Sequence, residues 1–406
     1  MSAARRRILL TTTAFPPSVG GVQAHVAELR AHLAHFEADV LTLWTQNRTD
    51  WLLGTTLRLG ELAAAPSEPG VTTVRWSGAT KRRMLLWVFS YYANPAGMAR
   101  RIAAQMVPYI DAVVEPDHVL LHHHRIGRPF LAQASLAVAR KRGKPFVLTP
   151  HHHQKWRGYR YQDWIDVYRA ADAVLALTTA ERDELQRLGV EPDRIHVIWS
   201  AADPPLPADA ARFRQRIDGS DAPLVLFMGQ QYQYKGITEL VAAVDMVRRR
   251  KVSAELVVIG PSTPFSERFF AQHSYPWLHL LGRVDEQTKW DALEASSVVC
   301  LPSRNEAFGR VYLEGWSKGK PVIGARIPTV QEVITEGKTG LLVEPGSSEQ
   351  LAAAIERLLT NPSLAAEMGA NGALELARRF SWSSVVERVE AAYAAVLDRD
   401  PSGRGV

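Results

Sequence analysis

Two carboxylates stand eight positions apart in the segment PSRNEAFGRVYLEGWSKGKPV, residues 302–322. The apolar run VVCLPS predicts a buried strand that leads into this segment, and a helix is expected from about Arg310. Gly309 then lies where the backbone can approach a ligand, and the first helix amides form an anion site suited to a pyrophosphate. Glu306 precedes the helix and Glu314 lies inside it, so one carboxylate can reach a ligand group and the other can accept hydrogen bonds from a vicinal diol. The alternative, a capping residue and a solvated helix acid, stays open from spacing alone.

Two other loops carry residue types suited to phosphate binding. GQQYQYKG, residues 229–236, follows a predicted strand and places Lys235 just before a helix, where its cation can meet phosphates. FPPSVGGVQAH places Gly20 and Gly21 at the start of another helix, where backbone can approach a phosphate or a sugar. Neither loop has the spacing of a dinucleotide fingerprint or a Walker A loop. Taken alone, the lysine also fits a surface position and the glycines fit a plain turn.

Short apolar runs alternate with amphipathic stretches along the whole chain, which is typical of parallel sheets covered on both faces. The predicted strands are 7–13, 38–44, 72–76, 118–123, 146–150, 173–178, 195–199, 223–229, 254–260, 278–282, 298–303, 321–325 and 340–344. A Pro-rich break at 200–210 predicts a linker. We therefore predict an α/β protein with two Rossmann-like, doubly wound domains, residues 1–202 and 203–380, facing a cleft, with a helix and tail at 381–406.

Composition narrows the class of protein and of partner. The 406 residues fit two domains, and 46% apolar with 22% charged residues is ordinary for a globular protein. A net charge of +6 favours anionic partners, but the dispersed basic residues do not form the stripe that a nucleic-acid binder needs. Cys300 is the only cysteine, which excludes an internal disulfide. The apolar run Ile8–Leu10 is shorter than the roughly 7–15 residues of an export signal, so we expect a cytoplasmic protein.

Four segments together resemble the family-4 retaining glycosyltransferases of the GT-B fold. PPSVGGVQAHVAELRAHL (16–33) is similar to the family's Gly-Gly loop and first helix, and VLFMGQQYQYKGITELVAAV (225–244) to its Gly-Arg-Leu…Lys-Gly segment. LPSRNEAFGRVYLEGWSKGKPVIG (301–324) is similar to its Glu-x7-Glu signature, and GKTGLLVEPGSSEQLAAAI (337–355) to the stretch after it. The resemblance covers nearly the whole chain and implies a C-terminal helix that crosses back to the first domain.

The resemblance also implies roles for the residues of the second domain. Lys235 is expected to bind the donor's diphosphate and Glu314 the nucleotide's ribose. Glu306 is expected to hold the transferred sugar. The other residues expected to line the donor site belong to the same two loops and to the start of the following helix: Gly229, Gln230, Phe308, Gly309, Arg310 and Val311.

In the first domain the resemblance implies that His151, in LTPHHH, lies close to the donor sugar and the reacting centre. Gly20 and Gly21 are expected to line the site near the phosphates and the acceptor. The implied reaction is same-face transfer in which the leaving phosphate helps to remove the acceptor proton, with no cofactor and no metal. The implied partners are a nucleotide sugar and a carbohydrate, lipid-linked or small-molecule acceptor.

Some positions depart from the family pattern. Gln230 stands where the family has arginine, so one diphosphate cation is missing unless Arg283 or Arg304 substitutes for it. The family's Gly-Gly-Ile-Pro-Glu loop reads PTVQE here, and its Pro-Asn-Gly-Val-Asp linker reads WSAAD. Gly315 replaces the alanine that usually follows the second carboxylate. These departures affect the donor's identity more than the class of reaction.

Two further features have more than one interpretation. The clusters His122–His124 and His151–His153 invite a metal site, but adjacent strand residues point to opposite faces, so we favour a lining role on the acceptor side. The segment KRRMLLWVFSYYANPAGMARR, residues 81–101, fits a helix resting on anionic lipid at the inner membrane surface, an apolar acceptor pocket or a buried helix.

Two other functions stay open at this point. The first is another GT-B enzyme, such as a nucleotide-sugar epimerase or a glycosyl phosphorylase. The second is a non-catalytic protein that binds nucleotide sugars, which the missing arginine at Gln230 supports. An epimerase needs no acceptor, so product analysis with the donor alone separates it from a transferase.

Overall fold

The computed structural model describes residues 5–18, 20–44, 68–74, 77–88, 94–152, 161–202, 205–218 and 221–399. The chain divides into two compact units. The N-terminal unit comprises Met1–Trp199 together with Trp382–Val406, and the C-terminal unit comprises Ser200–Ser381. In the parts of the chain that the structure describes, no helix is both long and apolar enough to cross a membrane.

A parallel sheet of seven strands forms the centre of the N-terminal unit. Its strands are β1 (Arg6–Ala14), β2 (Phe36–Trp44), β3 (Val71–Thr73), β4 (His118–His124), β5 (Phe146–Thr149), β6 (Ala173–Ala176) and β7 (Ile195–Val197). Its helices are α1 (Gly21–His32), α2 (Gly78–Val88), α3 (Pro95–Asp111), α4 (Phe130–Lys141), α5 (Gln162–Ala170), α6 (Thr179–Arg187) and, after the C-terminal unit, α15 (Trp382–Leu397). The strand order is β3-β2-β1-β4-β5-β6-β7.

The C-terminal helix α15 packs within the N-terminal unit through polar as well as apolar contacts. The Glu390 carboxylate accepts hydrogen bonds from the backbone amides of Ala34 and His35, both at 2.8 Å. The Tyr393 hydroxyl lies 2.6 Å from Nδ1 of His122 on β4. These contacts hold α15 against the segment that follows α1 and against β4.

A parallel sheet of six strands forms the centre of the C-terminal unit. Its strands are β8 (Leu224–Met228), β9 (Glu255–Ile259), β10 (Leu278–Gly282), β11 (Val298–Leu301), β12 (Val322–Ala325) and β13 (Gly340–Val343). Its helices are α7 (Ala210–Arg216), α8 (Ile237–Arg249), α9 (Pro264–Gln272), α10 (Glu286–Ala295), α11 (Arg310–Ser317), α12 (Pro328–Gln331), α13 (Ser348–Thr360) and α14 (Pro362–Arg379). The strand order is β10-β9-β8-β11-β12-β13.

The prediction of two α/β domains built on parallel sheets is confirmed. Strands β8, β11, β12 and β13 are fully buried, as continuous apolar strands between two helical layers should be. In both units the strand order reverses after the first strand of the sheet, between β1 and β4 and between β8 and β11. Ligands of such sheets bind beyond the strand carboxyl ends at this switch point. The loops after β1, β4, β8 and β11 are therefore the first places to look for a site.

Some elements differ from the sequence prediction at their ends. The predicted strand 72–76 is a short edge strand, Val71–Thr73, and residues 75–76 lie outside the described part. The predicted tail helix beginning near residue 380 starts at Trp382, and a separate helix, Pro362–Arg379, precedes it. Hydrophobic periodicity finds the elements but fixes their ends less well, because caps and sheet pairing decide where a regular element stops.

Candidate functional site

The loop after β11 turns into α11 through Gly309, whose φ of 89° lies in the left-handed region. A Cβ at this position would lie 2.3 Å from a ring carbon of Tyr312, so glycine is required by backbone conformation and by space. Among the described residues, no side chain makes a capping hydrogen bond to α11, and the amide end of this helix points to the carboxyl end of the sheet, where an anion can bind. Phe308 is buried and packs edge-on against Phe380, which anchors the loop.

Lys235 and Glu306 meet at the switch point between β8 and β11. The Lys235 Nζ donates a hydrogen bond to Oε1 of Glu306, and their side chains are 15% and 9% exposed. Thr329 on α12 fixes the loop that carries Glu306, because its hydroxyl donates to the Glu306 carbonyl oxygen at 2.8 Å. The structure thus brings together a cation and a carboxylate that lie 71 positions apart in the sequence.

The loop after β8 is held by a network that leaves Gln230 exposed. The neighbouring Gln231 is buried, and its Nε2 donates to the carbonyl oxygen of Gly260 at 3.0 Å. The Thr263 hydroxyl donates to the Gln231 carbonyl oxygen at 2.8 Å. Gln230 is exposed, whereas its neighbour is part of the structural network. Position 230 is therefore free to change without loss of these bonds.

Glu314 lies on α11 with its carboxylate partly covered by a second lysine. The Lys289 Nζ lies 3.4 Å from Glu314 Oε1 and 2.6 Å from Glu286 Oε2. The longer contact is a loose ion pair, which a ligand hydroxyl can replace more readily than a short hydrogen bond. Sequence reasoning missed Lys289, because α10 is distant in sequence from α11 and nothing in its spacing points to Glu314.

The two arginines that were considered as substitutes for the missing cation differ in position. Arg304 donates to the Glu239 carboxylate on α8 and is 53% exposed. Burial alone would raise the pKa of Glu239, but hydrogen bonds from Thr238, its own backbone and Arg304 lower it. Arg283 is an exposed residue after β10. Arg304 is thus already engaged with a carboxylate of its own.

In the N-terminal unit, the loop after β1 leads through Gly20 and Gly21 into α1, as predicted. A Cβ at Gly21 would meet no atom of the described residues within 4 Å, apart from its own chain neighbours and helix. His25, one turn into α1, is buried and meets His151 edge-on with ring centroids 5.5 Å apart. His151 follows β5 with a φ of 43°, an uncommon conformation for a side-chain-bearing residue that is concentrated at functional sites.

The histidines of β4 divide between the two faces of the sheet. His122 bonds the Tyr393 hydroxyl and, at 2.8 Å, the Thr149 hydroxyl, whereas His123 bonds Thr11 at 2.9 Å on the opposite face. His124 is fully buried, and neither of its ring nitrogens has a hydrogen-bond partner among the residues that the structure describes. Its ring lies 4.1 Å from that of His122 and 5.8 Å from that of His151.

Burial controls the charge of these imidazoles. Removal from water, and next the nearby His151, lower the pKa of His123 to about 3. Burial likewise holds the pKa of His122 and His124 well below the ordinary value, and neighbouring histidines lower both further. All three rings are therefore neutral near pH 7. Among the described residues, which include His151 and His152 but not His153, no cluster of three potential ligands is arranged to hold a metal ion.

The structure brings the predicted site residues together in two sets. Lys235, Gln230, Glu306 and the start of α11 lie at the switch point of the C-terminal sheet. His151 and the Gly20–Gly21 loop lie at the switch point of the N-terminal sheet, where His25 and His124 join them. His25 was missed because a histidine on an amphipathic helix reads as an ordinary core or surface residue.

Two family models match the chain, one in each half. The model for Glycosyltransferase Family 4 matches residues 19–204, and the model for Glycosyl transferases group 1 matches residues 209–375. Together they cover most of both units and every site residue predicted from the sequence. The segments 225–244 and 301–324, which carry Lys235, Glu306 and Glu314, lie inside the second match.

Curated relatives include several sugar transferases. The chain is 28% identical to the alpha-D-kanosaminyltransferase of Streptomyces kanamyceticus over 340 residues, which is 79% of this chain and 83% of that one. It is 27% identical to the D-inositol 3-phosphate glycosyltransferase of Kribbella flavida over an alignment of 419 positions, which covers 93% of this chain and 91% of the relative.

Solved structures with the same fold cover almost the whole chain. The sucrose-phosphate synthase from Thermosynechococcus elongatus has a TM-score of 0.74 and 21% identity, covering 97% of this chain and 99% of that one. HepE of Anabaena, solved in complex with UDP, has a TM-score of 0.71 and 15% identity over 96% and 100% of the two chains. With the fold, the paired signature and both family models in agreement, the chain belongs to the family-4 glycosyltransferases of the GT-B fold.

Proposed function

We propose that this glycosyltransferase moves a sugar from a nucleoside diphosphate donor to an acceptor hydroxyl with retention of anomeric configuration and without a metal ion. The observation that carries the proposal is the Lys235–Glu306 pair beside the uncapped start of α11. A cation and the positive end of a helix at one place can stabilise a departing diphosphate, and a carboxylate next to them can hold sugar hydroxyls.

Entry of the donor exchanges partners within this pair. Lys235 turns from Glu306 to the diphosphate, whose full negative charge competes well for an ammonium group. Glu306 is then free to accept hydrogen bonds from hydroxyls of the transferred sugar. The bond from the anomeric carbon to the phosphate oxygen breaks, the acceptor oxygen bonds that carbon on the same face, and the acceptor proton passes to the leaving phosphate. The amides of Phe308 and Gly309 assist in holding the sugar.

The remaining contacts orient the donor. The Glu314 carboxylate accepts hydrogen bonds from the two ribose hydroxyls, which replace its loose contact with Lys289. Arg310 and Val311 contribute their amides at the start of α11, and Gly229 keeps the loop after β8 close to the phosphates. His151, with Gly20 and Gly21, is assigned to the transferred sugar and the acceptor side from the family resemblance. None of these side chains acts as a covalent nucleophile in the proposal.

The names of related proteins support the substrate class. The relatives named above are sugar transferases, and HepE of Anabaena was also solved in complex with UDP and glucose. By analogy we assign a nucleotide sugar as donor and a carbohydrate, lipid-linked or small-molecule acceptor. The peripheral membrane interpretation of residues 81–101 stays a hypothesis, and residues 89–93 lie outside the described part.

A panel of nucleotide sugars tests the proposal. UDP-glucose, UDP-N-acetylglucosamine, GDP-mannose, ADP-glucose and dTDP-glucose are screened for an increase in unfolding temperature, since a ligand at 100 times its Kd adds about 2.7 kcal/mol. Once a donor and an acceptor are known, proton NMR of the first-formed product reads the anomeric configuration. A product of inverted configuration would contradict retention. Conversion of the donor into an epimer, or into products of its epimer, in the absence of acceptor would identify an epimerase instead.

Removal of divalent ions tests the metal-free mechanism. Transfer is expected to continue after dialysis against EDTA, because Lys235 and the amides of α11 take the part of a metal at the diphosphate. A parallel reaction with added Mn²⁺ serves as the control. Complete loss with EDTA that Mn²⁺ or Mg²⁺ restores would contradict this part of the proposal while leaving glycosyl transfer itself intact.

A further inference from the structure

Tyr232 is an exposed aromatic residue on the loop that carries Lys235. It is 40% exposed, and it is the only aromatic side chain among the exposed large apolar residues in the described ranges. Its ring lies nearly parallel to that of Tyr234, with centroids 5.5 Å apart and an angle of 12° between the planes. Tyr234 therefore covers part of one face of the Tyr232 ring, while the Tyr232 side chain stays accessible to solvent. The pair therefore offers a flat surface beside a charged site.

The backbone holds this aromatic pair in a fixed position. The amide of Tyr232 donates to the carbonyl oxygen of Gln230 at 2.8 Å, and the amide of Lys235 donates to that of Tyr232 at 3.0 Å. The amide of Arg304, on the loop that carries Glu306, donates to the Tyr234 carbonyl oxygen at 2.8 Å. A loop fixed in this way loses little backbone conformational entropy when it binds a ligand.

The stack lies at a defined end of the proposed donor site. The Nζ of Lys235 is 5.4 Å from the centroid of the Tyr234 ring, and the same nitrogen bonds Glu306. The ribose is proposed to bind at a different carboxylate, that of Glu314, which contacts Lys289. Burial, and next the Glu306 and Tyr232 side chains, raise the pKa of Tyr234 to about 12, so its hydroxyl stays neutral beside the carboxylate.

We propose that Tyr232, supported by Tyr234, stacks on the C–H face of a pyranose ring at the Lys235–Glu306 end of the site. A pyranose carries several C–H groups on one face, and the electron-rich face of an aromatic ring attracts them while excluding water. The pyranose is either the transferred sugar of the donor or a sugar of the acceptor, which share this chemistry. A nucleobase is less consistent with this place, because the base adjoins the ribose, which is proposed to bind at Glu314 and not at the Lys235–Glu306 pair. The inference rests on the proposed function.

The first arm of the test measures what the donor's sugar adds to affinity. The Kd of the best-binding nucleotide sugar and of its nucleoside diphosphate are measured by calorimetry for the wild type, Tyr232→Ala and Tyr232→Phe. If the ring stacks on the transferred sugar, Tyr232→Ala weakens binding of the nucleotide sugar about three- to tenfold but not that of the nucleoside diphosphate. Tyr232→Phe keeps the ring and is expected to match the wild type.

The second arm addresses the acceptor. Protein saturated with the nucleoside diphosphate is mixed with methyl α-D-glucopyranoside, methyl α-D-mannopyranoside or methyl N-acetyl-β-D-glucosaminide, and saturation-transfer NMR detects ring C–H protons near the protein. Signals that persist with Tyr232→Phe and vanish with Tyr232→Ala support stacking on an acceptor sugar.

Three results would overturn the inference. The first is that Tyr232→Ala changes neither the Kd values nor the saturation-transfer signals. The second is that Tyr232→Ala weakens binding of the nucleoside diphosphate as much as binding of the nucleotide sugar. The third is that Tyr232→Phe weakens binding as much as Tyr232→Ala does. Failure of every nucleotide sugar to bind the wild-type protein is a different result, because it contradicts the proposed function itself. Circular dichroism of each variant confirms that it is folded before its affinity is compared.

Discussion

The switch point of the C-terminal sheet holds paired charges, whereas that of the N-terminal sheet holds neutral imidazoles. Lys235 and Glu306 keep 15% and 9% of their side chains exposed and neutralise each other. His122 and His124 are fully buried, and burial keeps them neutral near pH 7. Charges that keep some contact with water can exchange a protein partner for a ligand at modest cost. Imidazoles without that contact are suited to shaping and positioning.

The difference fits what each half of the proposed reaction requires. A departing diphosphate carries net negative charge, so its site needs cations and free amides that are ready before the donor arrives. The N-terminal sheet presents buried rings and glycine backbone, which are suited to the recognition of shape and hydroxyl groups in the proposed acceptor half. The predictions that follow probe this division, starting with the largest expected effect.

Loss of one partner in the charged pair is expected to have the largest effect. Lys235→Met leaves the Glu306 carboxylate buried without its cation, which should lower the free energy of unfolding by about 3–5 kcal/mol. Donor affinity should fall about 10- to 100-fold, as expected for one charge-assisted contact with phosphate. The double variant Lys235→Met/Glu306→Gln should recover most of the stability but none of the affinity. Wild-type donor affinity in Lys235→Met would place the diphosphate elsewhere.

Acid should loosen the N-terminal unit first. The buried histidines of β4 have lowered pKa values, about 3 for His123, whereas unfolded histidines titrate near 6.5. Below about pH 6.5 the unfolded chain therefore binds more protons than the folded protein. The free energy of unfolding then decreases as the pH is lowered, until the pH reaches the pKa values of the folded state. Each such histidine costs about 1.4 kcal/mol per pH unit, so three cost about 4 kcal/mol at pH 5.5.

Hydrogen exchange at pH 7.5 and 5.5 checks this expectation, with amide protection of β4 compared with that of β8 and β11 in the same sample. Rates are corrected for the intrinsic effect of pH. His124→Leu removes one titrating ring that has no hydrogen-bond partner among the described residues, so it should reduce the slope by about one proton. Equal loss of protection in both units would show that the imidazoles do not set acid stability.

Gln230→Arg should tighten donor binding by about tenfold, since it adds the guanidinium that family members hold at this position. Arg304 is engaged with Glu239, which makes it a poor substitute for the missing cation. Arg304→Ala is therefore expected to change donor affinity little. A large loss in Arg304→Ala or Arg283→Ala, with no gain in Gln230→Arg, would identify the residue that already takes the arginine's place. Calorimetry with one donor serves all three variants.

The smallest expected effect concerns the membrane hypothesis for residues 81–101. If this segment meets anionic lipid, the protein should sediment with phosphatidylserine vesicles and be released by salt, because surface attraction is screened within about 8 Å at physiological ionic strength. Arg82 and Arg83 are exposed on α2, so Arg82→Gln/Arg83→Gln is the matched variant. Sedimentation that ignores vesicle charge, or its absence, would leave an acceptor pocket or core packing as the role of this segment.

The sequence by itself determined the fold class and supplied most residues of the proposed donor site. Apolar strand runs and glycine turns are local features, and they predicted the paired sheets and the loops that carry Lys235, Glu306 and Glu314. Gly309 could also be recognised from the sequence, because the need for glycine at a left-handed backbone conformation is a local property of the turn.

Only the tertiary structure decided which side chains meet. The partners Lys289 with Glu314, Arg304 with Glu239, and His25 with His151 come from elements distant in sequence. The stacking of Tyr232 on Tyr234 also depends on how the loop after β8 is fixed by that after β11. Spacing cannot predict such pairs, because parallel strand order brings together loops that the chain separates by whole strand–helix units.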